Sequence, residues 1–565
     1  MRKVATTIFV LVLSGLGTLT ATAGPKPADQ ARTMSDVIDR VITNENRASQ
    51  QIRQYSPLVE TYIQNLRPDK DLGYVPAGDK YFLGRADFSK GVSLVSLTDT
   101  NGKGKKIFGS IGNFFSFALQ FVPDGFLQMI FIDTNGFDKQ HYKFDYVRRE
   151  FLGEVRCLVF DVTPQERSGK GRFLGRIWVE DQDYNIVRFN GAYSGSGHTS
   201  WWFHFDSWRT NVQPGVWVPS FVYSEEKDVH YNLSKKLDFK AQTRLWGYNL
   251  GHASQEQELS KILVETPVQD DTKTANDLTP VQAQRSWDRQ AEDNVIDRLE
   301  RIGLIAPKGE VDKVLETVVN NLEVTNNIDI EPDVRCRVMT TTTLESYTVG
   351  HTVVLSRGLI DVLPDEASLA TIVAHELSHA ILGHRLDSSL AFFDQLLIED
   401  KETFRHFGFA RTIDEEKAAN AKAIQILNNS PYKNQLGNAS LFLTALATRA
   451  KEIPNLISPH LGDRVPVIGD LRSSMPADAD AKKNPQMITA LPIGGRVKLD
   501  PWNDRLELIK SKPIGAVAER EKMPFEVTPF MPYLMRYGAE NAKPIAASAA
   551  QPATPGTSES APGKP

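Results

Sequence analysis

Residues 371–385 read Thr-Ile-Val-Ala-His-Glu-Leu-Ser-His-Ala-Ile-Leu-Gly-His-Arg, and within them His375, Glu376 and His379 form an HExxH pattern. A helix turns about 100° per residue, so the two histidines stand one turn apart on one face, where their imidazole nitrogens can share a zinc ion. Glu376 projects beside them. It is placed to take a proton from a water that the ion makes acidic, and not to ligate the ion itself. Pro364, Asp365 and Glu366 mark the start of the helix this chemistry needs, and Leu369, Ile372, Val373 and Ile381 give it an apolar stripe.

A hydrolytic zinc site also needs a third protein ligand and an open position. The elongated pattern HExxHxxGxxH would require glycine at 382 and histidine at 385. Leu382 and Arg385 stand there, so that class is excluded. His384 lies five residues after His379, about 140° around an ideal helix, which turns it away from the metal and into a supporting role. The third ligand must then come from elsewhere, and a carboxylate on a later helix is the natural source. Asp414 to Leu427, bounded by Asn428-Asn429-Ser430-Pro431, reads as such a helix. Its acidic start leaves two readings open for Glu416: a metal ligand, or with Glu415 a stabiliser of the helix N-terminus.

The rest of the 565 residues must position this helix pair. Arg2 and Lys3 precede a largely apolar run, Val4 to Leu19, and Ala21-Thr22-Ala23 supplies small residues at a cleavage site; residues 1–23 are expected to be a secretory signal. No cysteine follows that site, and no second run of about eighteen apolar residues occurs, so a soluble periplasmic protein is expected. From 30 to 265 short alternating runs, such as Gly153 to Val162, Phe173 to Glu180, Ile186 to Gly191 and Val216 to Tyr223, predict an antiparallel β domain. A polar linker, 266–280, follows. Residues 281–541 open with helical spacing at Val295, Leu299 and Ile302, then at Val311, Val314, Leu315 and Val318. The last stretch, 542–565, is Ala, Pro, Ser and Thr with few large apolar residues, and is expected to be disordered.

Composition removes other classes. With 65 basic against 70 acidic side chains the net charge is −5, which excludes nucleic acid as a partner. A hydrophobic fraction of 41% excludes wholesale disorder. Two cysteines, Cys157 and Cys336, exclude a disulfide scaffold and a four-cysteine metal site. They fall in different domains and are expected as unpaired buried thiols, which leaves histidine and carboxylate to hold the metal.

These residues resemble the family forty-eight zinc peptidases, the gluzincin group of the HtpX, BepA and CAAX-prenyl-protease type. Its HExxH, followed by a further histidine five residues on, is matched by His375, Glu376, His379 and His384. The family's upstream turn, strand and Gly-Leu pair are matched by Gly350, Thr352 to Ser356, and Gly358-Leu359. Its ExxAD, whose glutamate is the third zinc ligand, is matched by Glu416-Lys417-Ala418-Ala419-Asn420 except at the last position. The resemblance covers roughly residues 290–470 and implies one zinc ion per chain, held by His375, His379 and Glu416. It also implies that the strand Thr352 to Leu355 lies at a sheet edge and pairs with an extended peptide or protein substrate. Three departures stand out. Asn420 replaces an aspartate, which removes a charge near the ligands. Leu344-Glu345-Ser346 stands where the family often has Asn-Ala-Phe. A late His-Pro with a following arginine is loosely echoed by Ser458-Pro459-His460 and Arg464, which makes His460 a candidate transition-state or gating residue.

The β domain is similar to LolA-like lipoprotein carriers, a half-barrel whose hollow can hold acyl chains or a peptide, and this implies possible lipid or lipoprotein contact. Trp201, Trp202, Phe203 and Trp208 would either line that hollow or form plain core. The expected fold class is therefore α+β: an antiparallel half-barrel-like domain, then a mainly helical gluzincin domain with a small sheet. The expected function is that of a zinc endopeptidase with Glu376 as base. The rival is a chaperone-like or lipid- or peptide-binding envelope protein whose zinc site is latent or structural. The intact Glu376 favours the enzyme, since a structural site needs no base and closes with four protein ligands.

Overall fold

In the computed structural model, residues 33–70, 73–88, 91–97, 123–134, 136–194, 203–232, 235–248, 280–384, 411–457, 497–500, 505–508, 527 and 533–538 are described. The signal-like start, the linker up to 279, the tail from 542, Trp201, Trp202 and His460 lie outside them.

Helix α1 (Met34–Ile52) opens the first region. Thr33 begins it through a capping box: its hydroxyl accepts from Asp36 N at 3.2 Å, and its own N–H donates to Asp36 Oδ2 at 3.0 Å. Val37, Val41, Glu45 and Ile52 recur at helical spacing and are the buried positions. Ten strands follow, with the short helix α2 (Pro123–Gln128) between the third and fourth: β1 (Leu58–Asp69), β2 (Gly73–Asp87), β3 (Ser93–Ser96), β4 (Tyr142–Leu152), β5 (Val155–Pro164), β6 (Phe173–Glu180), β7 (Ile186–Tyr193), β8 (Phe205–Gln213), β9 (Val216–Asn232) and β10 (Lys235–Trp246). They form one open sheet in the order β3-β2-β1-β10-β9-β8-β7-β6-β5-β4. Each pairing in the sheet is antiparallel.

Strand β1 is buried from Leu58 to Gln64 without alternation, because both faces of the sheet are covered there. On one face Val59, Ile63, Phe160, Phe173, Phe189, Phe205 and Phe239 pack with Val37 and Val41 of α1 and with Phe126 and Leu127 of α2. This face is a filled aromatic core among the described residues, and Phe203 belongs to it. Trp208 belongs to the opposite face, with Tyr62, Trp178, Trp217 and Tyr223. There the Arg188 guanidinium lies between Trp178 and Trp208, 4.2 and 4.5 Å from the ring centroids, and reaches Asp206 at 2.8 and 3.1 Å. The four aromatic residues near 200–208 therefore do not form one cluster: of the two described, each faces a different core.

The second region begins with α3 (Pro280–Ile302) and α4 (Glu310–Asn326). A three-stranded sheet follows, β11 (Arg335–Met339), β12 (Ser346–Val349) and β13 (Thr352–Ser356), in the order β11-β13-β12. Thr352 to Ser356 is thus the central strand, parallel to β11 and antiparallel to β12. It has neighbours on both sides, and the edge position expected of it falls instead to Ser346–Val349. The β12–β13 turn needs Gly350, whose φ is +57° and whose missing Cβ would meet the Glu292 carboxylate. Then come α5 (Arg357–Val362), α6 (Glu366–Leu382), α7 (Ile413–Asn428), α8 (Leu436–Arg449) and α9 (Pro454–Ile457). Among the described residues no helix is long and apolar enough to cross a membrane.

Sheet and helices share a core. Leu58 and Leu83 pack with Ala291, Val295, Ile296 and Leu299 of α3. The buried Glu60 carboxylate accepts from Thr342 N and Thr342 Oγ1, both at 2.6 Å, from Tyr81 Oη at 3.0 Å and from Arg244 Nη1 at 3.1 Å. Asp79 of β2 accepts from the backbone N–H groups of Asn455 and Leu456 at the start of α9, at 3.1 and 2.8 Å. The end of the chain returns to the first sheet: Leu534 O accepts from Glu154 N at 2.9 Å, and Arg536 reaches Glu180 at 2.9 Å.

Candidate metal centre

Helix α6 carries the HExxH residues because its ends are fixed locally. Asp365 caps its start, accepting from Ser368 N at 2.8 Å, and Gly383 ends it in the left-handed conformation at φ +67°. The helix is apolar nearly all round and is buried from Ala367 to His379, apart from Leu369. Its histidine pair, His375 and His379, is therefore fully buried.

Helix α7 brings the carboxylate. Thr412 and Glu415 close a capping box, in which Thr412 Oγ1 accepts from Glu415 N at 3.3 Å and Thr412 N donates to Glu415 Oε2 at 3.0 Å. The adjacent acids thus do different work: Glu415 caps the helix, while Glu416, only 4% exposed, turns toward α6. Glu416 Oε2 lies 3.3 Å from His375 Nε2, Oε1 lies 3.9 Å from His379 Nε2, and the two Nε2 atoms are 3.2 Å apart. One ligand atom from each of the three residues falls within 4.8 Å of the others. Buried Glu416 Oε2 makes no hydrogen bond. Three electron-pair donors converging in a buried place, one of them an unsatisfied carboxylate oxygen, suit a cation, and two imidazoles with one carboxylate suit zinc.

His384 lies beyond the helix end. Gly383 redirects the chain, and His384 Nδ1 comes to 2.9 Å from His379 Nδ1. The projection of an ideal helix does not reach this residue, and its role is to hold the far side of the His379 ring. Arg411 approaches from the start of α7, donating from Nη2 to Thr348 O at 2.7 Å. Burial, then the charges of His375, Arg411 and His384, push His379 down to about 2, which keeps its ring neutral and able to ligate. Burial also opposes a charged His375, but the Glu416 contact and the Glu376 and Glu416 charges outweigh it and move this ring upward.

Glu376 is fully buried. Burial raises its pKa from the usual carboxylate value, against the lowering effects of His375, Ser346 and Thr348. Ser346 Oγ donates to its Oε1 at 2.6 Å, and Thr348 Oγ1 lies 2.8 Å from its Oε2. Thr348 and Arg411 were not singled out by motif, and Ser346 only as the end of the Leu344-Glu345-Ser346 departure, although the alternation Ser346-Tyr347-Thr348-Val349 is a readable sign of two hydroxyls on one strand face. Asn420, one turn after Glu416, is buried and contributes to the upward pull on His375. His460 is outside the described residues.

A buried histidine pair one turn apart, a carboxylate from a second helix and a hydroxyl-bonded glutamate outside that set form the arrangement of a zinc metallopeptidase site. Residues 307–441, which contain His375, Glu376, His379 and Glu416, match the profile of peptidase family M48. Comparison with curated protein sequences gives no match. Among solved structures, a domain assigned to outer membrane lipoprotein sorting in Vibrio parahaemolyticus aligns with 8% identity over 40% of this chain and 98% of its own length, at a TM-score of 0.18. At that score the likeness supports no conclusion about this chain.

Proposed function

We propose that this chain is a zinc-dependent endopeptidase of the periplasm or cell envelope. The observation that carries the reading is the convergence of His375, His379 and Glu416 with Glu376 next to them and outside the ligand set. A zinc ion held by those three residues would lower the pKa of a water and polarise the scissile carbonyl. Glu376 takes the proton of the attacking water on a carboxylate oxygen and delivers it to the leaving nitrogen, so the peptide bond opens to an acid and an amine. Strand β12 is the outer strand of its sheet, and its Ser346 and Thr348 hydroxyls reach Glu376.

The test combines metal analysis with cleavage of fluorescein-labelled casein by wild type and Glu376→Gln. The expected result is one zinc per chain in both proteins and cleavage by the wild type alone. Equal cleavage by a zinc-loaded Glu376→Gln protein would refute the assignment of the base. The envelope location rests on the charged and apolar start of the sequence, and is tested by recovering the protein from a periplasmic fraction with Gly24 at its N-terminus.

A further inference from the structure

Strand residues two apart share a face, so in β12 Ser346 and Thr348 both turn toward α6, while Tyr347 turns away and places its hydroxyl 3.7 Å from Met339 Sδ. Both hydroxyls end on one carboxylate. Ser346 Oγ donates to Glu376 Oε1 at 2.6 Å; Thr348 Oγ1 is 2.8 Å from Glu376 Oε2 and 2.9 Å from the Glu376 carbonyl oxygen. A hydroxyl has one proton to give, and the carboxylate is the stronger acceptor, so Thr348 donates to Oε2. All three residues are at most 1% exposed, and hydrogen bonds to an ionised group in such surroundings are strong. Each carboxylate oxygen keeps a second lone pair, so the base can still accept a proton.

We propose that Ser346 and Thr348 are positioning residues for the Glu376 base: one hydrogen bond on each oxygen fixes its carboxylate beside the metal ligands. Glutamate has three side-chain torsions, and next to the ligand His375 a swing of the carboxylate changes which atom it reaches. The outer strand of the small sheet thus also sets the orientation of the base. This inference rests on the reading of Glu376 as the base.

The experiment uses the full chain and the variants Ser346→Ala, Thr348→Val and their double, with Ser346→Thr and Thr348→Ser as conservative controls. Zinc content and thermal midpoint report folding, and kcat and KM are measured on an internally quenched casein-derived peptide. With zinc retained, kcat should fall about tenfold in either hydroxyl-free single variant, because a hydrogen bond to a charged group is lost, with KM within about twofold. The conservative controls should restore most of that kcat. A second readout does not depend on turnover: acetohydroxamate binds zinc as its anion, and the proton it loses must pass to a neighbouring base. Its affinity by calorimetry should fall in the double variant and in Glu376→Gln alike, while zinc affinity holds. Unchanged kcat and hydroxamate affinity in a zinc-loaded double variant would overturn the proposal, as would losses that appear in KM or that the conservative controls fail to rescue. If wild type and Glu376→Gln cleave equally, the base assignment fails by itself, and the hydroxamate affinities still decide whether the two hydroxyls orient Glu376.

Discussion

Replacing Glu60 by alanine removes a carboxylate that ties the first sheet to the loop leading into β12. Glu60 is 1% exposed and accepts four hydrogen bonds, two from Thr342, one from Tyr81 and one from Arg244. Truncation leaves the Thr342 N–H without its acceptor and Arg244 without its carboxylate. Breaking a buried ion pair from one side costs about 3–5 kcal/mol. The Arg244 side chain is 17% exposed and keeps its bond to Thr340 O at 2.9 Å, so the lower end, about 3 kcal/mol, is expected. Against a total stability on the order of 5–15 kcal/mol this is a large loss. Urea unfolding measures it with two probes: the fluorescence of the eight tryptophans, among them the buried Trp178, Trp208 and Trp217 of the sheet, and far-ultraviolet dichroism, which is weighted toward the helices. Both transitions should move to lower urea together, because the lost bonds span the two regions. A loss below about 1 kcal/mol, the worth of one ordinary hydrogen bond, or a shift of one probe without the other, would refute the claim that Glu60 couples them.

Three further outcomes follow from particular side chains. Asn420→Asp puts a negative charge beside His375, so zinc affinity by chelator competition should rise up to about tenfold; no change would mean that the ligands do not sense this position. Glu45 and Arg209 form an ion pair at 2.6 and 2.7 Å with both side chains 1% exposed, and Glu45→Ala should cost about 3–5 kcal/mol in urea melts. Cys157 is pushed up to about 12 by burial and by the Glu180, Glu150 and Asp181 charges, and burial likewise raises Cys336. The thiolate is the reactive form, so raising the pKa lowers reactivity at any pH below it. An aromatic disulfide reagent at pH 8 should therefore titrate neither thiol in the native protein and both in urea.

What could be read from the sequence and what could not divides by the distance over which a residue's partner lies. His375 and His379 are related by one helical turn, and Phe173–Glu180 forms a strand over the same residues its alternation predicts, because both patterns are local. The α+β division was legible for the same reason, from a change of period along the chain. Local geometry misleads where an element stops: extending the α6 helix would turn His384 away, but Gly383 ends that helix and returns His384 to the His379 ring. Strand order is not local at all. Nothing within Thr352–Ser356 says that β11 will pair on one side of it and β12 on the other, and this arrangement alone makes Ser346–Val349 the edge strand. The hydroxyls on Glu376 come from a residue 30 positions away and another 28 away, and the Glu60 bonds to Thr342 span 282. Such contacts leave only a weak trace in sequence, a polar alternation or an acid in an otherwise apolar strand. That trace is worth weighing. A buried carboxylate such as Glu60 is held only where donors reach it, here Arg244 and Tyr81 within the sheet and Thr342 from the second region, so an acid on a buried strand face marks a place where another element docks.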